Sequence, residues 1–177
     1  IYVDSADEIL VLIKLFYKEE PSQGFKKAQQ AINQLTPEYG ILLSRHITIH
    51  RELFLRVNVD LNAGTERKLS NERLLLDAYK GKMSNALAER MYNYGRFLLI
   101  CSSNPEGLPA HLQGVWNGMY APPFQGSFFF NENIQMNYWQ AFQGNMPELL
   151  LSLINLVEKG VPDFKENEKK YYGCRGG

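Results

Sequence analysis

Apolar positions along the chain fall into stripes separated by one long region of different character. Residues 9–13, Ile-Leu-Val-Leu-Ile, form a short continuous apolar run bounded by Asp and Ser on one side and by Pro21-Ser22-Gln23-Gly24 on the other. A run of this length between turn signals predicts a buried strand. After Gly24 the period changes. Phe25, Ala28, Ile32 and Leu35 fall at helical spacing, and Leu43, Ile47, His50, Phe54 and Val57 continue at alternating four- and three-residue steps. A third stripe contains Leu87, Met91, Tyr94, Leu98 and Cys101. Such stripes predict helices that bury one face against other helices. Near the C-terminus Asn145-Met146-Pro147-Glu148 reads as an N-cap followed by an acid in the first turn, ahead of Leu150, Leu153, Ile154 and Val157. Pro147 suits a first turn, where its missing N–H had no partner to lose.

Residues 102–133 break this pattern. They are rich in Pro, Gly, Asn and aromatics, as in Asn104-Pro105-Glu106-Gly107, Trp116-Asn117-Gly118 and Pro122-Pro123-Phe124. Unstructured connections beyond about 12–15 residues are uncommon inside a compact domain unless functional or disordered. The aromatic content argues against disorder. The reading is a long ordered loop on a helical scaffold, where sites tend to sit. No internal repeat or low-complexity tract interrupts the chain.

Composition narrows the function classes. Hydrophobic residues make up 45% and charged residues 21%, as in an ordinary globular domain. The net charge is +0, which argues against a phosphate-tracking nucleic-acid binder. No apolar run approaches the roughly 20 residues of a membrane-spanning helix. Ile1 is not an initiator Met, and Asp4, Asp7 and Glu8 spoil a signal-peptide start, so the chain is expected to begin inside a longer protein. Cys101 and Cys174 lie far apart with no partner at metal spacing, and both are expected to be reduced.

Several polar and aromatic residues are candidates for chemistry, each with a structural alternative. The amides of Asn131 and Asn133 could each accept and donate hydrogen bonds but take no proton at neutral pH. In an extended segment their side chains would point the same way. Equally, asparagines turn or cap the chain. Trp116, Trp139, Tyr138, Phe124 and the phenylalanines at 128–130 could stack on the apolar face of a ligand or supply core area. Trp139 reads as core, whereas Trp116 in the loop is the better ligand-stacking candidate. Gln113 and Asn117 could bind hydroxyls or staple the loop. His46 and His50 share a helix face at metal-ligand spacing but lack the acid of an H-E-x-x-H pattern. His50, on an apolar stripe, reads as a core histidine. Glu106 reads as a turn residue and Glu148 as part of a helix start.

Three motifs carry a family resemblance. Tyr94-Gly95-Arg96-Phe97-Leu98-Leu99-Ile100-Cys101-Ser102-Ser103, Leu108-Pro109-Ala110-His111-Leu112-Gln113-Gly114-Val115-Trp116-Asn117 and Asn131-Glu132-Asn133-Ile134-Gln135-Met136-Asn137-Tyr138-Trp139 resemble, in order, "YGRYLLISSS", "LPANLQGIWN" and "NINTEMNYW" of glycoside hydrolase family 95. Arg45-His46, Leu53-Phe54-Leu55-Arg56-Val57 and Gly173-Cys174-Arg175-Gly176 flank them with further likeness.

The resemblance implies a mainly α chain: part of an (α/α)6 barrel with a short N-terminal β segment and the long ordered loop. Residues 1–18 would end an N-terminal β-sandwich. Residues 19–177 would form a linker helix and the first part of the catalytic barrel. It implies an inverting exo-glycosidase acting on terminal α-L-fucose or α-L-galactose of a glycan. Asn131 and Asn133 would serve the attacking water, while Trp116, Gln113 and Asn117 would contact sugar. No metal or other cofactor is implied. The general acid and the base would lie beyond residue 177, in the remainder of the same polypeptide, leaving the chain alone inactive. An extracytoplasmic location is implied as well. Glu132 and Gln135 depart from the family pattern, and His111 stands where an Asn is common. The competing readings are a related enzyme for another terminal sugar, a non-catalytic carbohydrate-binding or structural (α/α)-helical module, and a helical scaffold for protein partners. The last leaves the Trp- and Asn-rich loop unexplained.

Overall fold

A computed structural model describes residues 2, 4–16 and 19–173. The chain is mainly α. It divides into two compact units, Ile1–Arg51 and Glu52–Gly177. The helices are α1 (Pro21–Asn33), α2 (Tyr39–Phe54), α3 (Asn71–Tyr79), α4 (Asn85–Ser102), α5 (Asn133–Gln143) and α6 (Leu151–Tyr172). Short 3-10 turns lie at Gly64–Lys68, Pro123–Gly126 and Pro147–Leu150.

Local chemistry sets most helix ends. Helix α1 opens with Pro21 in its first turn, and the Glu20 carboxylate accepts the Gln23 N–H at 3.0 Å. Ser70 and Ser84 cap α3 and α4, each accepting a backbone N–H three residues on at 3.2 Å. These bonds satisfy donors that have no intrahelical partner. Helix α6 ends on Gly173 in the left-handed region (φ 69°), whose N–H reaches the Lys169 carbonyl. Gly holds such a position without the clash a Cβ would bring.

The short N-terminal β segment is not found. Residues 4–16 carry no strand, and Ile9, Val11 and Ile13 are 63%, 69% and 79% exposed. An extended run becomes a strand only through ladder bonds to a partner, and no described residue offers one. Residues 1, 3, 17 and 18 of that segment lie outside the described residues. The loop runs over residues 103–132 with one isolated antiparallel bridge, His111 to Gly114, and one 3-10 turn. The N-cap expected at Asn145 is also absent. Asn145 takes φ 54°, the 3-10 turn Pro147–Leu150 has no side-chain cap, and Glu148 pairs with Arg56 at 2.6 Å.

In the second unit a core of Leu99, Ile134, Tyr138, Ala141, Met146 and Leu149 joins α4, α5 and the turn before α6. A smaller cluster of Ala63, Leu74, Ala86 and Leu87 joins α3 and α4. The buried face of α4 follows the apolar stripe only in part. Leu87 is buried and Leu98 half-buried, but Met91 and Tyr94 are 60% and 62% exposed, while Glu89, Arg96, Leu99 and Ser102 are buried. Polar residues occupy that face because each finds partners. Arg96, fully buried, donates to the carbonyls of Val57 at 2.7 Å, Phe54 at 2.6 Å and Leu53 at 3.4 Å. Its guanidinium also lies over the Phe54 and Tyr92 rings. Glu89 accepts the Leu61 N–H at 2.7 Å and two bonds from Arg67 at 2.8 Å. A buried polar group is tolerated when its bonds are made.

Candidate functional site

A groove of about 530 Å³ opens beside the long loop. Helix α4 contributes Tyr94, Gly95 and Leu98 to its wall, α5 contributes Met136, Asn137 and Gln140, and the loop contributes Ala110, His111, Gln113 and Trp116. Both helices present these residues at three- and four-residue spacing, so each offers one face. Among the described residues no Asp, Glu, Lys or Arg lines the groove. Its polar side chains are amides, an imidazole, a phenol, the Ser102 hydroxyl and the Trp116 indole N–H, which offer hydrogen bonds without carrying fixed charge.

The loop wall is built by a tight turn. The Gly114 N–H bonds to the His111 carbonyl at 2.8 Å, and the Gln113 N–H reaches His111 Nδ1 at 3.2 Å. Gly114 takes φ 63°, and a Cβ there would lie 2.5 Å from the Trp116 ring. Only glycine meets both conditions. His111 packs edge-on against Phe128 with ring centroids 6.2 Å apart. Trp116, 51% exposed, offers an open indole face at the groove.

The site residues expected from sequence are distributed unevenly. Gln113 and Trp116 line the groove. Asn117 does not: its Oδ1 accepts the Met119 N–H at 2.9 Å, an Asx-type turn, while its Nδ2 is buried with no hydrogen-bond partner. Asn131 and Asn133 are not part of the groove lining either. Asn131 is exposed in a turn, and Asn133 is the half-buried first residue of α5. The segment is not extended, because Glu132 between them takes φ 113°, ψ −32°. Period-two alignment therefore does not apply; a kink at a non-glycine residue separates the two amides. Backbone strain of this sort costs on the order of 1–3 kcal/mol and clusters at functional positions. Gln135 ties the end of the loop, its Nε2 donating to the Phe130 carbonyl at 2.8 Å.

The remaining candidates are structural in their contacts. Tyr138 is buried, with its hydroxyl bonded to Ser103, Ser152 and the Ala110 N–H. Trp139, expected in the core, is 56% exposed, since it lies on the α5 face opposite Ile134, Tyr138 and Ala141. The Glu106 N–H bonds Asn104 Oδ1 at 3.0 Å in an exposed turn. His46 and His50 sit with ring centroids 5.5 Å apart. Among the described residues no group of three or more His, Cys, Asp and Glu gathers as a metal site would require. Burial pushes the Cys101 thiol up, away from the reactive thiolate, and Cys101 is free. Cys174 lies outside the described residues.

Sequence reasoning overlooked Asn137 and Gln140 in the groove and Arg96 and Ser103 behind it. A signal was present. Glu89 and Arg96 lie seven residues apart on one face of α4, the face that the structure buries, and Ser103 follows seven residues on, just past the helix end.

No helix among the described residues is long and apolar enough to cross a membrane. Comparison with known proteins gives a consistent family. Residues 38–177 match the glycosyl hydrolase family 95 catalytic domain. The chain is 30% identical to alpha-L-fucosidase 2 of Arabidopsis thaliana over 157 residues, covering 84% of this chain and 19% of that protein. It is 31% identical to a probable alpha-fucosidase A of Aspergillus niger over 156 residues, covering 86% and 19%. A probable alpha-fucosidase A of Aspergillus oryzae is 30% identical over 167 residues, covering 91% and 22%. The chain thus spans about a fifth of the length of these curated relatives. With the family match extending over most of its length, and with a loop and two helices carrying the three motifs, the chain belongs to the glycosyl hydrolase family 95 catalytic-domain family.

Proposed function

We propose that this chain is part of an inverting exo-glycosidase that releases terminal α-L-fucose, or α-L-galactose, from glycans, with Asn131 and Asn133 orienting the attacking water. The observation that supports the glycosidase reading best is the groove; the role of Asn131 and Asn133, which do not line it, rests on their motif. Amides from Gln113, Asn137 and Gln140 stand beside the aromatic faces of Tyr94 and Trp116, with no charged residue in the lining. A neutral sugar asks for this mixture: planar amides for its hydroxyls and aromatic faces for its apolar patches. The names of the relatives, alpha-L-fucosidase and probable alpha-fucosidase, favour fucose.

Inversion needs a carboxylic acid on the leaving oxygen and a carboxylate that activates water on the opposite face, about 6.5–9.5 Å apart. No carboxylate lines the groove, and Glu148 is engaged with Arg56. On this reading both catalytic carboxyls come from the remainder of the same polypeptide. The asparagines hold water in line for that base rather than taking its proton. A misplacement of about 1 Å costs on the order of 10²-fold in such a near-attack arrangement.

The test uses the full-length protein with nitrophenyl α-L-fucoside and the matching galactoside, following the first-formed anomer by NMR. Inverted sugar is expected, and Asn131→Ala or Asn133→Ala should lower kcat about 10²-fold while the protein stays folded. If the asparagines only turn the chain, the loss appears instead as about 0.5–2 kcal/mol of stability with near-normal kcat. A full-length protein that binds fucosylated oligosaccharides but turns none over would make it a carbohydrate-binding module.

A further inference from the structure

Tyr138 lies in α5 and is 2% exposed. Its hydroxyl is 2.9 Å from Ser103 Oγ and 3.1 Å from Ser152 Oγ, and it accepts the Ala110 N–H at 2.8 Å. The proton positions follow from counting. Ser152 spends its single proton on the Leu149 carbonyl at 3.0 Å, so the phenol donates to Ser152 Oγ. Ser103 then donates to the phenol oxygen, whose two lone pairs are taken by Ser103 and Ala110. Every hydrogen-bonding position on the hydroxyl is filled. The Ala110 carbonyl accepts from Asn137 Nδ2 at 3.4 Å, so consecutive residues of α5 hold both backbone groups of one loop residue. Ala110 immediately precedes the His111–Gly114 turn that carries Gln113 and leads to Trp116.

The geometry points to Tyr138 as a positioning residue: its hydroxyl sets the loop wall of the groove, and with it Gln113 and Trp116, in register with α5. It touches no substrate, being buried behind the wall. The catalytic consequence rests on the glycosidase reading above; the structural consequence does not. Because the loop side of the groove carries the sugar contacts, its displacement acts on binding rather than on the chemical step.

The test is Tyr138→Phe in the full-length protein, a change that keeps the ring and removes only the hydroxyl. KM for the fucoside should rise on the order of tenfold with kcat little changed, the fold-change carried when one of the three lost bonds, the one to the Ala110 N–H of the loop wall, falls on binding. Hydrogen exchange over residues 108–117 should accelerate while α4 and α5 keep their protection. Ser152→Ala removes a partner on the α6 side of the same hydroxyl and should lower the melting temperature without moving KM. A Tyr138→Phe protein with wild-type KM and wild-type exchange over 108–117 overturns the proposal, as does Ser152→Ala raising KM equally. If wild-type protein turns over no glycoside, the glycosidase reading fails, and the exchange result alone decides the role of Tyr138. If Tyr138→Phe does not fold, the wild-type Ala110 amide decides it: protection equal to that of α5 supports the assignment, and exchange at the rate of an open loop refutes it.

Discussion

Replacing Arg96 by Met keeps a long unbranched side chain and removes the guanidinium. Arg96 is fully buried, and among the described residues no carboxylate pairs with it; its bonds run to backbone carbonyls at the end of α2 and just beyond. Two of them, to Phe54 at 2.6 Å and Val57 at 2.7 Å, are short charge-assisted bonds, and the third, to Leu53, is long at 3.4 Å. Bonds to charged groups contribute about 1.5–3 kcal/mol each, so the two short ones account for about 3–6 kcal/mol. Contact of the cation with the Phe54 and Tyr92 rings adds to this. Relief from burying a guanidinium, whose Nε has no hydrogen-bond partner, offsets part of the loss. The expected net cost is about 3–5 kcal/mol, in the range seen when one partner of a buried charged network is removed. Arg96→Lys should recover only a fraction, because an ammonium is a compact point charge without the planar fork. The assay is urea denaturation of the full-length protein, following the transition that includes this region. A substrate-binding arginine would behave differently, losing activity at unchanged stability. An Arg96→Met protein with an unshifted urea midpoint refutes the capping argument.

Other outcomes follow from particular contacts. Arg67, then the Leu61 N–H, hold the Glu89 carboxyl down to about 2 from its ordinary 4.5. Its contribution to stability is therefore complete above pH 4.5 and lost as pH falls through about 2. The stability gap between wild type and Glu89→Gln, read from urea midpoints across that window, should narrow as pH falls; a constant gap rules the linkage out. Gly144→Ala would put a Cβ 2.8 Å from the Gln140 carbonyl and 2.7 Å from Met146 Cε. The methyl of Met146 can turn aside but the carbonyl cannot, so a loss of about 1–3 kcal/mol in thermal melts is expected. Ser84→Ala removes the cap on α4 and should cost about 1 kcal/mol with no change in glycoside KM.

The helical class was legible in the sequence because its signal is local. Leu87, Leu98 and their neighbours recur within one or two turns, and a helix is closed by bonds four residues apart. The long loop announced itself by its Pro, Gly and Asn content. The motifs likewise identified the family, since Leu108-Pro109-Ala110 and Asn131-Glu132-Asn133 are strings read without any fold.

Tertiary structure decided which face each helix buries and what the loop is tied to. Met91 and Tyr94 belong to the apolar stripe of α4, yet burial went to Glu89 and Arg96. Their partners, Leu61, Val57, Phe54 and Leu53, lie 28 to 43 residues away in sequence. The same holds for Tyr138 and Ala110, separated by 28 residues. The strand expected at residues 9–13 failed for the complementary reason: a strand is completed by a distant partner, and its apolar run says nothing of whether one is there. Hydrophobic period reports how a segment could bury itself, whereas the satisfaction of buried polar groups depends on contacts that only the folded chain brings together.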